Sequence, residues 1–196
     1  RQRLESLIAR GGVSTVFQPI VSLETGQISA FEALTRPETG SGFTDVTELF
    51  VAAERTGMLW ALERLTRTVA LKAAAEWSGD VLLFLNNSPQ VFADGRFAAE
   101  IVGQVRGTPG LNPSRVVLEI TERSEQQHFP GLEEQVRLLR REGFDSAIDD
   151  VGSGASGLVR IMSLRPRWLK LDRELVREIN FDRVKQNLLR FFVHFA

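Results

Sequence analysis

Six side chains hold most of the chemical potential of this sequence. They are Glu32 in Phe31-Glu-Ala-Leu34, Asn86 in Leu85-Asn-Asn-Ser-Pro-Gln90, Glu119 in Leu118-Glu-Ile-Thr-Glu122, the pair Asp149-Asp150, and Lys170. Each follows or interrupts an apolar run of strand-like composition, so five successive strands are predicted to deliver polar groups at their C-terminal ends. Carboxylate and amide oxygens are the donors that hard cations such as Mg2+ or Mn2+ require. There is no cysteine, and His128 and His194 are too distant in sequence to form a local zinc motif. Four carboxylates brought together without a cation would repel one another and some would take up protons. Two divalent ions would remove that conflict. Taken singly, a glutamate ending a strand is an ordinary solvated or helix-capping residue. Lys170, between Leu169 and Leu171, is by itself equally consistent with a lysine pointing to solvent. Five such positions in one chain favour a shared site, and an inward ammonium fits beside four carboxylates.

The elements that must position these groups can be read from periodicity and punctuation. Residues 15–23 and 27–34 read as two antiparallel strands joined through Glu24-Thr-Gly26. Asp45 followed by Glu48 forms a capping box for a helix with Val46, Leu49, Phe50 and Ala53 on one face, ended by Gly57. A second helix covers about 59–77. Val81-Leu-Leu-Phe-Leu85 reads as a strand covered on both faces. The alternation then continues with a helix over 96–105, a strand over 115–120, a helix opened by Pro130 with Gly143 beyond its end, a strand over 146–149, a helical turn over 156–162, a strand over 168–171 and a helix from 182 to 196. Strands alternating with helices after an initial hairpin predict an α/β domain with a mainly parallel sheet, either a closed barrel or an open doubly wound sheet.

Composition limits the partners. The chain has 196 residues with 43% hydrophobic and 25% charged content, which is that of one ordinary globular domain. A net charge of -1 and a pI near 6.2 provide no field that would collect DNA or an anionic membrane. An anionic ligand must therefore be handled locally. The N-terminus lacks a signal-peptide layout and no window approaches 18 uninterrupted apolar residues, so no membrane segment and a cytoplasmic location are expected.

A competing pattern is Gly152-Ser-Gly-Ala-Ser-Gly157, which follows a strand and has Asp172 about twenty residues after its first glycine, as in a dinucleotide-binding fingerprint. Asp149 and Asp150 immediately before the glycines would repel a pyrophosphate. The fingerprint also belongs in a first βαβ unit, whereas this stretch lies far along the chain.

Six ordered segments resemble the motifs of the EAL domain family: Phe17-Gln-Pro-Ile-Val21, Phe31-Glu-Ala-Leu-Thr-Arg36, Leu85-Asn-Asn-Ser-Pro-Gln90, Leu118-Glu-Ile-Thr-Glu122, Asp149-Asp-Val-Gly-Ser-Gly154 and Leu169-Lys-Leu-Asp172. The resemblance implies a TIM-like (β/α) barrel with an antiparallel first strand. It implies metal-dependent hydrolysis of cyclic di-GMP to linear pGpG, which lowers a bacterial second messenger. By motif, Glu32, Asn86, Glu119 and Asp149 would hold one Mg2+ or Mn2+, and Asp149 with Asp150 a second, with Ca2+ expected to inhibit. Lys170 would orient the attacking water, so Lys170, Glu32 and Asp149 form the expected catalytic set. Gln18, Leu34 and Arg36 would contact substrate; a surface ion pair is the other reading of Arg36. Glu122 would support the loop over 150–158, which takes part in metal binding and dimer contacts.

That loop departs from the common form, with Val151 for Phe, Ala155 for Tyr and Gly157 for Ser. The smaller residues predict a more mobile loop and looser coupling between dimerisation and activity. Asn87 replaces a usually apolar residue, and the replacement is expected to be tolerated. Active members supply a further glutamate and a glutamine from a seventh and an eighth strand, and neither motif occurs here. The reading is therefore of an EAL domain over 1–196 truncated before its last two strands, a phosphodiesterase in its full-length form, with the 196-residue piece expected to bind metal poorly. The alternative is a non-catalytic receptor module for cyclic di-GMP. A homodimer and an attached sensory or GGDEF domain are the expected partners.

Overall fold

The computed structural model describes residues 1–121, 129–152 and 157–195. Its elements run α1 (Gln2–Arg10), β1 (Val13–Val21), β2 (Ile28–Pro37), α2 (Val46–Thr56), α3 (Leu59–Ala74), β3 (Leu82–Asn87), α4 (Pro89–Phe92), α5 (Phe97–Arg106), β4 (Val116–Thr121), α6 (Leu132–Arg141), β5 (Asp145–Val151), α7 (Gly157–Leu164), β6 (Trp168–Leu171), α8 (Arg173–Val176) and α9 (Arg183–Phe195). The chain divides into two compact units, one of Arg1–Asn86 with Ala99–Val117 and one of Asn87–Ala98 with Leu118–Ala196.

In the first unit β1 and β2 form the expected antiparallel hairpin, with Gly26 in the left-handed region (φ 69°) where a side chain would be strained. Strand β2 then pairs parallel with β3, from Ala30 opposite Leu82 to Ala33 opposite Leu85. Residues 34–37 of β2 continue beyond that parallel ladder, paired with β1 as far as Val13 opposite Pro37. The hairpin has two unlike faces. On one, Phe17 and Phe31 meet Trp77 beyond the end of α3, with ring centroids 4.7 and 4.9 Å from the indole. The other carries Ser14, Val16 and Gln18 of β1, all exposed, and Ala30, Glu32, Leu34 and Arg36 of β2.

Helix α2 begins as the sequence predicts, but its capping box is shifted. The Asp45 carboxylate accepts from the Glu48 amide at 2.8 Å, while the Glu48 carboxylate accepts from the Thr44 amide at 2.8 Å rather than from Asp45. Helix α3 buries Leu62, Ala70, Leu71 and Ala74 together with the guanidinium of Arg67. That buried cation donates to Glu100 (3.0 Å) and Gln104 (3.3 Å) of α5 and to Glu63 (3.4 Å), so the charge is paired where burial would otherwise expel it.

In the second unit β4 neighbours β5, and β5 pairs parallel with β6. Strand β4 is almost wholly buried, as a continuous apolar run implies. Stacked Phe92 and Phe97 (centroids 4.5 Å apart) fill the space at the end of α4. The Gln135 carbonyl of α6 accepts from the Ala98 amide at 2.9 Å. Arg140 of α6 donates to the carbonyl of Leu164, the last residue of α7, and to that of Arg165 just beyond it, at 2.9 and 2.7 Å. Helices α1, α4 and α8 have no counterpart in the sequence reading; α4 and α8 are four residues each, too short to show periodicity.

Candidate metal centre

The strand-end placement inferred from sequence needs correction. Glu32 is the fifth of ten residues in β2, Glu119 the fourth of six in β4, and Lys170 the third of four in β6. For Glu32 the reason lies in the pairing: the parallel ladder with β3 ends at Ala33, and β2 runs on because β1 still supplies its hydrogen-bonding partners. The Glu32 carboxylate thus sits where parallel pairing stops rather than where the strand stops.

In the first unit Glu32 receives a hydrogen bond from the Asn86 side-chain amide, Nδ2 to Oε1 at 2.8 Å. This turns the nitrogen end of the amide toward Glu32 and leaves Oδ1 as the end suited to a cation. Gln18 lies directly opposite Glu32 across the hairpin. Leu34 and Arg36 follow Glu32 at two-residue steps, so the period of the strand puts all three on its face. Arg36 is exposed, and its Nη1 donates to the neighbouring Thr35 carbonyl at 2.8 Å. The first unit therefore gathers Gln18, Glu32, Leu34, Arg36 and Asn86.

In the second unit Glu119 is fully buried and its carboxylate is held by the Lys170 ammonium at 2.8 Å. The same ammonium lies 3.2 Å from Asp149 Oδ1. Of the two readings of Lys170, the inward one is therefore correct. Burial pushes the Asp149 carboxyl above its ordinary range; Lys170 pulls it down and Asp150 adds to the rise.

Between Ile148, opposite Leu169, and Val151, opposite Leu171, strand β5 has two residues where β6 has one. Those two are Asp149 and Asp150, and the single residue facing them is Lys170. Asp150 absorbs the extra residue in a left-handed conformation (φ 58°), which aspartate tolerates better than most side chains. The bulge lets consecutive residues, which in a regular strand would face opposite sides, serve one locality. Gly152 (φ 100°) follows, and a Cβ there would lie 2.1 Å from Leu175 Cδ1, so α8 packs directly on the backbone that leaves the bulge.

Glu122 and residues 153–156 of the expected loop over 150–158, including the middle of the glycine-rich stretch, lie outside the described residues. Sequence reasoning treated Asn87 as a tolerated replacement. It is buried, and its Nδ2 reaches the Glu119 carbonyl at 3.4 Å, which ties the end of β3 to the backbone that carries the buried glutamate. A polar residue at a buried strand position was the available signal.

The donors fit a hard divalent cation. All are oxygens, and in the second unit the Glu119 and Asp149 carboxylates share one ammonium while the charge of neighbouring Asp150 acts on Asp149, an excess of negative charge that a cation would offset. Among the described residues no helix is long and apolar enough to cross a membrane.

Comparison with known proteins gives a consistent result. The family model described as "EAL domain" matches residues 1–196. The uncharacterized protein y4lL of Sinorhizobium fredii is 32% identical over 90% of this chain and 21% of its own length. The probable cyclic di-GMP phosphodiesterase PdeG of Escherichia coli is 26% identical over 91% of the chain and 36% of its own length. The chain thus spans about a fifth to a third of these relatives. Klebsiella pneumoniae BlrP1, solved as a calcium/cy-diGMP complex, superposes with a TM-score of 0.83 at 28% identity, over 93% of this chain and 46% of that one. This likeness gives the chain the α/β, TIM-like barrel fold, with strands mainly parallel after the first.

Proposed function

The chain belongs to the EAL domain family, and from that membership we propose that it hydrolyses cyclic di-GMP to linear pGpG with two Mg2+ or Mn2+ ions. The observation that carries the reading is the buried Glu119 carboxylate sharing one ammonium with Asp149, beside the bulge that presents Asp150. Such a group is costly to bury for structural reasons alone, because well-packed apolar residues of similar volume would stabilise as much. Retaining it makes sense where the carboxylates have a cation to hold.

Glu32, Asn86, Glu119 and Asp149 would ligate one ion, and Asp149 with Asp150 the other. Ions held by these residues would supply a lowered pKa for water and would offset charge on the phosphate and the departing 3′ oxygen. The chain's own groups do the rest. Lys170, fixed by Glu119 and Asp149, directs an N–H from Nζ toward the attacking water. Gln18, Leu34 and Arg36 hold the nucleotide, the Arg36 guanidinium on a phosphate. One P–O3′ bond breaks as the water oxygen joins phosphorus, and the proton balance leaves a 3′ hydroxyl and a 5′ phosphate. The domain would act in the cytoplasm as a dimer within a longer signalling protein.

The test is turnover by the full natural-length protein, followed by separation of cyclic di-GMP from pGpG. Formation of pGpG with Mg2+ or Mn2+, abolished by EDTA and by Glu119→Gln, is the expected result. Nucleotide binding without turnover by metal-loaded protein would refute the catalytic reading in favour of a receptor.

A further inference from the structure

The open face of the β1–β2 hairpin is organised in three rungs. The first pairs Gln18 with Glu32, the second Val16 with Leu34, and the third Ser14 with Arg36. Successive rungs are two residues apart, about 7 Å along the strands, and the side chains within a rung have Cβ atoms about 5 Å apart. An apolar rung therefore lies between one with a carboxylate and one with a guanidinium. Val16 is 43% exposed although the adjacent odd-numbered position, Phe17, is packed against Trp77.

Resting on the phosphodiesterase reading above, we infer that Val16 is a specificity-determining residue: with Leu34 it forms the apolar seat for one guanine base of the substrate. The chemistry of the rungs matches a nucleotide. Its phosphates are drawn to cationic groups, and its base presents a flat, weakly hydrated face that gains by covering branched aliphatic carbons. The seat discriminates by contact with the ring face, so it favours a purine, which covers both side chains, over a pyrimidine, which is smaller.

The experiment uses the full natural-length protein with Ca2+ present to prevent turnover, and isothermal titration with cyclic di-GMP. Val16→Asn is expected to weaken binding about fivefold to tenfold, the scale of one lost aliphatic contact surface. Val16→Ile is expected to keep wild-type affinity. Val21→Asn serves as the control, because Val21 is 47% exposed on the same strand but lies beyond the Gln18 rung, away from Leu34 and Arg36. Mn2+ binding without nucleotide, followed by calorimetry, reads the metal site separately and is expected to match wild type in Val16→Asn. Equal weakening by Val16→Asn and Val21→Asn, or unaltered binding by Val16→Asn, overturns the inference. Parallel loss of Mn2+ binding also overturns it, since the effect would then be on the metal site. Wild-type protein that fails to bind cyclic di-GMP overturns this inference and the proposed function together, whereas wild-type binding with an indifferent Val16 overturns this inference alone.

Discussion

Replacing Lys170 with methionine keeps most of the side-chain volume and removes the one ammonium that Glu119 and Asp149 share. Glu119 has no exposed surface, so its carboxylate cannot recover hydration when the partner is lost. Breaking a buried ion pair on one side costs about 3–5 kcal/mol. Lys170 itself is 24% exposed and Asp149 17%, so water reaches part of the cluster and the cost falls to or below the bottom of that range, about 2–3 kcal/mol. For a protein of this size each kcal/mol moves the midpoint by about 2–4 °C, which predicts a loss of about 4–12 °C in Tm. The measurement is thermal unfolding in EDTA at pH 8. Divalent metal should restore part of the loss, because a cation would take over the role of the ammonium, while turnover stays low because nothing directs the water. A Tm in EDTA equal to wild type would refute the reasoning, since it would mean that Glu119 does not depend on this ammonium.

Asp149→Asn should stabilise the metal-free fold at neutral pH while abolishing activity. A carboxyl raised by burial binds its proton more tightly folded than unfolded, so its contribution to stability falls as pH rises from the unfolded pKa through the folded one, and the penalty is complete above. The variant should lack that segment of the stability–pH curve in EDTA, and an unchanged curve would count against the assignment. Gly152→Ala should destabilise by about 2 kcal/mol, from a positive φ and the clash with Leu175, and should also weaken divalent-metal binding in calorimetry; loss of stability with metal affinity intact would show that the bulge is held independently of α8.

Much of the site was legible in the sequence because it depends on residue type and local spacing. The alternation of strands and helices, the hairpin at Gly26, and the polar residues carried by each apolar run follow from period and punctuation, which act over a few residues. The six motif segments identified the family before any distance was known. Boundaries were less legible: β1 lies two residues earlier than expected, and β2 continues to Pro37, because strand ends are set by pairing with another strand rather than by composition.

Tertiary structure alone decided three matters. It turned Lys170 inward, since a residue alternating with leucines can face either way until a buried carboxylate is placed opposite it. It brought Asp149 and Asp150 to one locality through a bulge opposite Lys170; the sequence shows two adjacent aspartates, which in a regular strand would point apart. It made Asn87 a buried donor to the Glu119 backbone, although its neighbours in sequence suggested only tolerance. Local spacing determines which groups a strand can offer, and the register with the next strand determines which of them meet, because a shift of one residue moves every side chain to the other face.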